Sequence, residues 1–132
     1  MTYLPPFDKI KAMVNIANDK GKLKVNASYD EFLAMIRAVL SMIEVDEAWY
    51  LEQNPDVVQG IKNGKVTSAQ DHFLHNGYFE GRLPFPLKVD ERWYLTENPE
   101  VADFVRAGRL DSGQRHFDHD GYREGRLPFP LL

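Results

Sequence analysis

The chain contains no cysteine in its 132 residues. That absence excludes a disulfide framework, a thiolate zinc site, an iron–sulfur cluster and a cysteine nucleophile. Long hydrophobic runs are also missing. The longest mostly apolar stretch, 32–43, holds Arg37 and is shorter than the roughly 20 residues a bilayer span requires, so no membrane insertion is expected. The amino-terminal residues lack a basic region leading into an apolar one, which is not the pattern of a secretory signal. With Met1 read as the native start, the expectation is a cytoplasmic protein. Clustered positive charge is scarce: 16 Lys and Arg stand against 20 Asp and Glu, for a net charge of −4. Segment 1–44 has six basic and five acidic residues, 45–88 has four and six, and 89–132 has six and nine. A phosphate backbone needs grouped Lys and Arg, so nucleic acid is not an expected partner. There is no glycine-rich phosphate loop, no nucleophile–base–orienter set and no His-Glu-x-x-His, so neither an enzyme nor a cofactor is expected.

What the chain does have is a repeat. Residues 45–88 and 89–132 align without a gap, with 25 of 44 positions identical. A fixed period of this size points to tandem units that bury apolar faces together. Within each copy, Asp46 and Asp90 stand where a helix N-cap belongs, ahead of Trp49-Tyr50-Leu51 and Trp93-Tyr94-Leu95. Asn54-Pro55-Asp56 and Asn98-Pro99-Glu100 read as N-cap, N1 proline and an acid on the positive dipole end. Gly64 and Gly108 are expected to end that helix. Ser68 and Ser112 are expected to open a third one, which Gly77 and Gly121 close. Glu80-Gly81-Arg82 and Glu124-Gly125-Arg126 read as a second turn, and the Leu-Pro-Phe-Pro-Leu segments at 83–87 and 127–131 as extended straps.

Segment 1–44 shows no third copy. Phe7, Ile10, Val14 and Ala17 are spaced for a helix behind Pro5-Pro6, with Gly21 as its stop. Ser28-Tyr29-Asp30-Glu31 is a capping box. It opens a stripe of Tyr29, Phe32, Leu33, Ile36, Val39, Leu40 and Ile43, widened by Met35 and Met42. Such a face either caps the first repeat or serves self-association, and the methionines favour an adaptable contact.

The repeat frame, Trp-Tyr-Leu followed by Asn-Pro-acid-Val and then by His-Phe, Gly and Glu-Gly-Arg-Leu-Pro, resembles a known element. It is similar to a short helical repeat found as an accessory in bacterial glycosyltransferases of the rhamnan-synthesis type and in some surface-associated, hemolysin-type calcium-binding proteins. The matching positions are Trp49, Tyr50, Leu51, Pro55, Asp56, Val57, His72, Phe73, Gly77, Glu80, Gly81, Arg82 and Pro84, with their counterparts 44 residues on. The resemblance covers the last two-thirds of the chain. It implies an interaction module near exopolysaccharide biosynthesis, with a polysaccharide-synthesis enzyme or another protein as partner, and it supplies no catalytic residue. The Gly/Asp-rich nonapeptides of calcium-binding solenoids are absent, so calcium does not carry over.

Three sets of residues have a functional reading beside a structural one. His72 with His75, and His116 with His119, sit at the i,i+3 spacing of one helix face, weak candidates for a metal in the absence of a third ligand. They serve equally well as packed or helix-terminal histidines. Arg82 and Arg126 could hold an anionic or sugar ligand, or lock a turn on a carboxylate such as Asp46 or Asp90. Trp49, Tyr50, Trp93 and Tyr94 could stack on sugar rings or fill the core. Positions that differ between the copies, among them Gln59-Gly60 against Asp103-Phe104 and Lys62 and Lys65 against Arg106 and Arg109, are expected where surface is presented. The reading is therefore an all-α protein: an N-terminal helical segment at 1–44 and two helical repeats at 45–88 and 89–132, each of about three short helices plus a proline strap. It is a non-catalytic scaffold or accessory that forms homo-oligomers through 29–43, or alternatively a carbohydrate-binding module.

Overall fold

A computed structural model describes residues 3–131; Met1, Thr2 and Leu132 lie outside the described residues, so the apolar carboxyl-terminal strap is seen as far as Leu131. The chain forms two compact units, Met1–Phe85 and Pro86–Leu132. It is mostly helical, with eight α-helices among the described residues and one small antiparallel sheet.

That sheet corrects the all-helical expectation for the amino-terminal segment. After α1 (Phe7–Lys11) the chain forms a hairpin of β1 (Asn15–Asp19) and β2 (Lys22–Asn26), with Ile16 opposite Val25 and Asn18 opposite Leu23. The segment read as one helix contains β-branched Val14 and Ile16, and 22–26 alternates polar and apolar, a strand pattern. Gly21 is no helix stop. Lys20 (φ 52°) and Gly21 (φ 82°) are both left-handed, the two-residue turn that matches strand twist, and the Asn18 side chain accepts the Gly21 N–H at 3.0 Å.

Helix α2 (Tyr29–Leu40) begins at the expected capping box: Ser28 Oγ accepts the Glu31 N–H and Glu31 Oε1 accepts the Ser28 N–H. Its inner face buries Leu40 and, with Ile43 just beyond its end, packs Ile36 on the core of Val45, Tyr50, Val57, Ala69 and Phe73. Arg37 lies over the Phe79 ring, 5.2 Å from its centroid, which adds a cation–π contact to the seam.

The rest of this unit is α3 (Glu47–Gln53), α4 (Pro55–Lys62) and α5 (Ala69–His72), the last continued by a π-helical turn, Phe73–Gly77, and a short 3-10 turn, Tyr78–Glu80. The second unit has the corresponding α6 (Glu91–Glu97), α7 (Pro99–Arg106) and α8 (Gly113–His116), and a π-helical turn at Phe117–Gly121. Asp46, Asp90, Ser68 and Ser112 cap their helices as expected. Gly64 and Gly108 adopt φ +80° and +75°, as helix-ending glycines do.

Two glycines end their helical stretch in another way. Gly77 and Gly121 are the last residues of the π-helical turns, and neither takes the left-handed conformation of a helix-ending glycine. A Cβ on Gly77 would sit 2.1 Å from the Tyr50 hydroxyl, and one on Gly121 would sit 2.2 Å from that of Tyr94. Glycine is needed there for close approach, with its conformational freedom unused.

Glutamines tie the ends of each unit. Gln70 accepts the Val45 N–H (3.0 Å) and donates to the Ile43 carbonyl (2.8 Å), while Asp46 N–H donates to Pro84 at 3.0 Å and returns the strap to the start of its own copy. In the second unit Gln114 does the same with Val89 and Leu87, and Asp90 with Pro128. Glu47 accepts the Ala69 N–H, and Glu91 the Gly113 and Gln114 N–H groups, which meets donors at helix starts that the serine caps leave free.

Candidate functional site

The first polar cluster grows from Tyr50, fully buried on α3. Its hydroxyl lies 2.8 Å from His72 Nδ1 on α5. Burial pushes the phenol up to about 12, against the opposing pull of Arg82, so it stays neutral and has a proton to donate. His72 then accepts at Nδ1 and carries its proton on Nε2, which faces Glu80 Oε1 at 4.0 Å. Burial, and then the nearby Arg82 charge, hold the imidazole below its ordinary range. Glu80 also meets Arg82 Nε at 3.2 Å.

Arg82 closes the cluster. Its guanidinium gives two bonds to Asp56, at 2.9 and 2.8 Å, and one to Asn54 Oδ1 at 2.8 Å. This bidentate hydrogen bond drives the Asp56 carboxyl down and the guanidinium up. The Asn54 amide nitrogen turns back to the Tyr50 carbonyl at 2.7 Å and makes no N-cap bond. The expected side-chain cap is therefore corrected: the arginine claims the amide oxygen, and the Tyr50 carbonyl in the last turn of α3 claims the nitrogen.

The second unit repeats the cluster. Tyr94 is fully buried with its hydroxyl 2.8 Å from His116 Nδ1, His116 Nε2 lies 3.7 Å from Glu124, and Arg126 bonds Glu100, Glu124 and Asn98. Both arginines thus lock turns, on Asp56 and Glu100 rather than on Asp46 and Asp90. A hydroxyl, an imidazole and a carboxylate in line is the order of a nucleophilic relay. Here no substrate can reach the hydroxyl, because Tyr50 and Tyr94 have no exposed surface.

The sequence candidates separate accordingly. Tyr50 and Tyr94 leave the sugar-stacking set and belong to the core, each edge-on to a neighbouring phenylalanine, Phe73 or Phe117. Trp49 and Trp93 are half-buried. The paired histidines do not converge: His72 turns to Tyr50, whereas His75 Nδ1 bonds the Asp71 carbonyl at 3.1 Å. Among the described residues no group of three His, Asp or Glu is placed to hold a metal.

Exposed apolar surface concentrates at the other end of the chain. On α2, Tyr29 (72% exposed), Phe32 (46%) and Val39 (48%) point to water, while Leu33 and Met35, and Met42 just beyond the helix, are half-buried. Tyr3, Leu4 and Phe7 add to this, as does the apolar hairpin face, where Leu23 and Val25 are 75% and 66% exposed.

A cleft of about 410 Å³ opens in the second unit. Val101, Phe104 and Leu110 form its apolar side, and Arg109, Asp120, Glu100 and Arg126 its polar rim. Of the residues singled out from sequence as ligand or metal candidates, Arg126 and His116 reach it. Sequence reasoning missed the cleft, the Gln70 and Gln114 ties and the Glu47 and Glu91 caps. The last four are identical between copies, and that identity was the available signal.

Comparison with protein-family models, with curated proteins and with solved structures finds no match to the chain.

Proposed function

We propose that this chain is a non-catalytic interaction or scaffold protein, two tandem helical repeats behind an amino-terminal segment, that self-associates through the outward row of α2. The observation that carries this reading is the set of eight large apolar side chains left exposed between Tyr3 and Val39, in a chain whose repeats spend their polar groups on closed internal networks. Exposed large apolar side chains in this number, drawn from one segment of the chain, support an interaction surface there. The pathway rests on the repeat's resemblance to accessory elements of polysaccharide-synthesis enzymes: the chain serves exopolysaccharide biosynthesis, beside such an enzyme. Light scattering across a concentration series tests self-association. The wild type is expected to form oligomers that Phe32→Asp and Val39→Asp dissociate, whereas Ile36→Asp unfolds the chain because Ile36 lies on the core. A wild type that stays monomeric at high concentration overturns it.

A further inference from the structure

We propose that the cleft beside Phe104 is a binding site for a neutral sugar ring. It lies wholly within the second unit and owes nothing to α2, so it stands apart from the self-association reading. The two copies differ most usefully here. In the first copy the position is Gly60, and the Val66 side chain occupies the space beside it, 2.7 Å from where a Cβ would be. In the second copy Phe104 and Leu110 replace that pair, and the Phe104 ring stands 44% exposed along the cleft.

The polar groups at the rim select the ligand class. Arg126 is already committed, to ion pairs with Glu100 and Glu124. Arg109 lies over the Phe104 ring, 6.0 Å from its centroid, and neither it nor Asp120 has an ion pair among the described residues. The rim thus presents one uncommitted donor set and one uncommitted acceptor pair, with two guanidinium groups and two carboxylates among the lining residues and Glu124 paired behind Arg126. A charged ligand gains little from such a rim. A neutral pyranose suits it: the C–H face lies on Phe104, vicinal hydroxyls donate to Asp120, and ring or hydroxyl oxygens accept from Arg109. A shallow site for a single ring implies a dissociation constant in the millimolar range.

The full chain, isotope-labelled for amide NMR, is titrated separately with the methyl glycosides of glucose, galactose, mannose and rhamnose, with methyl glucuronide and with inorganic phosphate. At least one neutral glycoside is expected to shift Phe104, Arg109, Leu110 and Asp120 saturably, leaving the first-copy equivalents Gly60, Lys65 and Val66 still. Phe104→Ala and Asp120→Asn, both at exposed positions, are each expected to weaken binding about tenfold or more. Saturation by glucuronide or phosphate alone, shifts spread equally over both copies, or no saturable shift with any neutral glycoside would overturn the assignment.

Discussion

At the scale of single residues, the most constrained pair is Tyr50 and Gly77. A methyl group at 77 would collide with the phenol oxygen at 2.1 Å, but with the ring carbon only at 3.3 Å. Gly77→Ala is therefore expected to destabilise the first unit by about 1–3 kcal/mol through overpacking. Tyr50→Phe is expected to cost a similar ~1–3 kcal/mol, because it strips the partner from a buried imidazole nitrogen. The double variant should lose less than the sum of the two, since removing the hydroxyl makes room for the methyl. Urea unfolding of all four members of the cycle checks this, and strict additivity would show that the contact is not the cause. Gly77 itself was visible in the sequence as an invariant of the repeat, but its reason was not. Spacing suggests a helix stop; only the approach of a side chain from 27 positions earlier explains the missing Cβ.

At the scale of elements, the hairpin and α2 are the informative cases. The apolar spacing of 7–17 fits one helix, yet only Phe7–Lys11 is helical; from Asn15 the chain forms strands because its β-branched residues alternate and a left-handed pair at Lys20-Gly21 joins them. A two-stranded ribbon is marginal alone, and lysine is a poor occupant of φ 52°. Lys20→Asn is expected to strengthen the hairpin by about 0.5–1 kcal/mol, read as slower amide exchange across β1 and β2 with α2 unaffected. Helix α2 was legible almost whole, from the Ser28–Glu31 box to its inner row. Not legible was the division of its stripe between a docked row, Ile36, Leu40 and Ile43, and an outward row, Tyr29, Phe32 and Val39. Periodicity reports a face, and a wide face has two neighbours to choose from. The copies also differ where α2 docks: Leu74 and Phe79, which meet the core and Arg37 in the first copy, become Asp118 and Arg123 in the second. Those substitutions are therefore explained by packing, whereas Gly60 against Phe104 changes the presented surface.

At the scale of the molecule, stability is tied to pH through the same clusters. His72 is held below its ordinary value near 6.5 in the folded chain, so the unfolded chain takes up the proton first. Its contribution is complete above that value and is lost as pH falls through the lower, folded one. Asp56, held below its ordinary value near 3.8, acts in the same direction but further into acid. The urea midpoint of the first unit, followed by Trp49 in a Trp93→Phe background, is expected to decline from near neutrality downward. His72→Gln, which keeps an acceptor for Tyr50, is expected to flatten the upper part of that decline while leaving the carboxylate part; an unchanged slope would remove His72 from the account.

The sequence by itself determined the local features: the 44-residue period, the aspartate and serine caps, the glycine turns and the capping box of α2. Each depends on backbone conformation over three or four residues, which side chains close in sequence dictate. Tertiary structure decided what the repeated residues do. It buried Tyr50 and Tyr94 and turned Asn54 and Asn98 from caps into arginine ligands. Those outcomes depend on contacts between residues 20 to 30 positions apart, and no spacing rule along the chain encodes which of two available partners a side chain will reach.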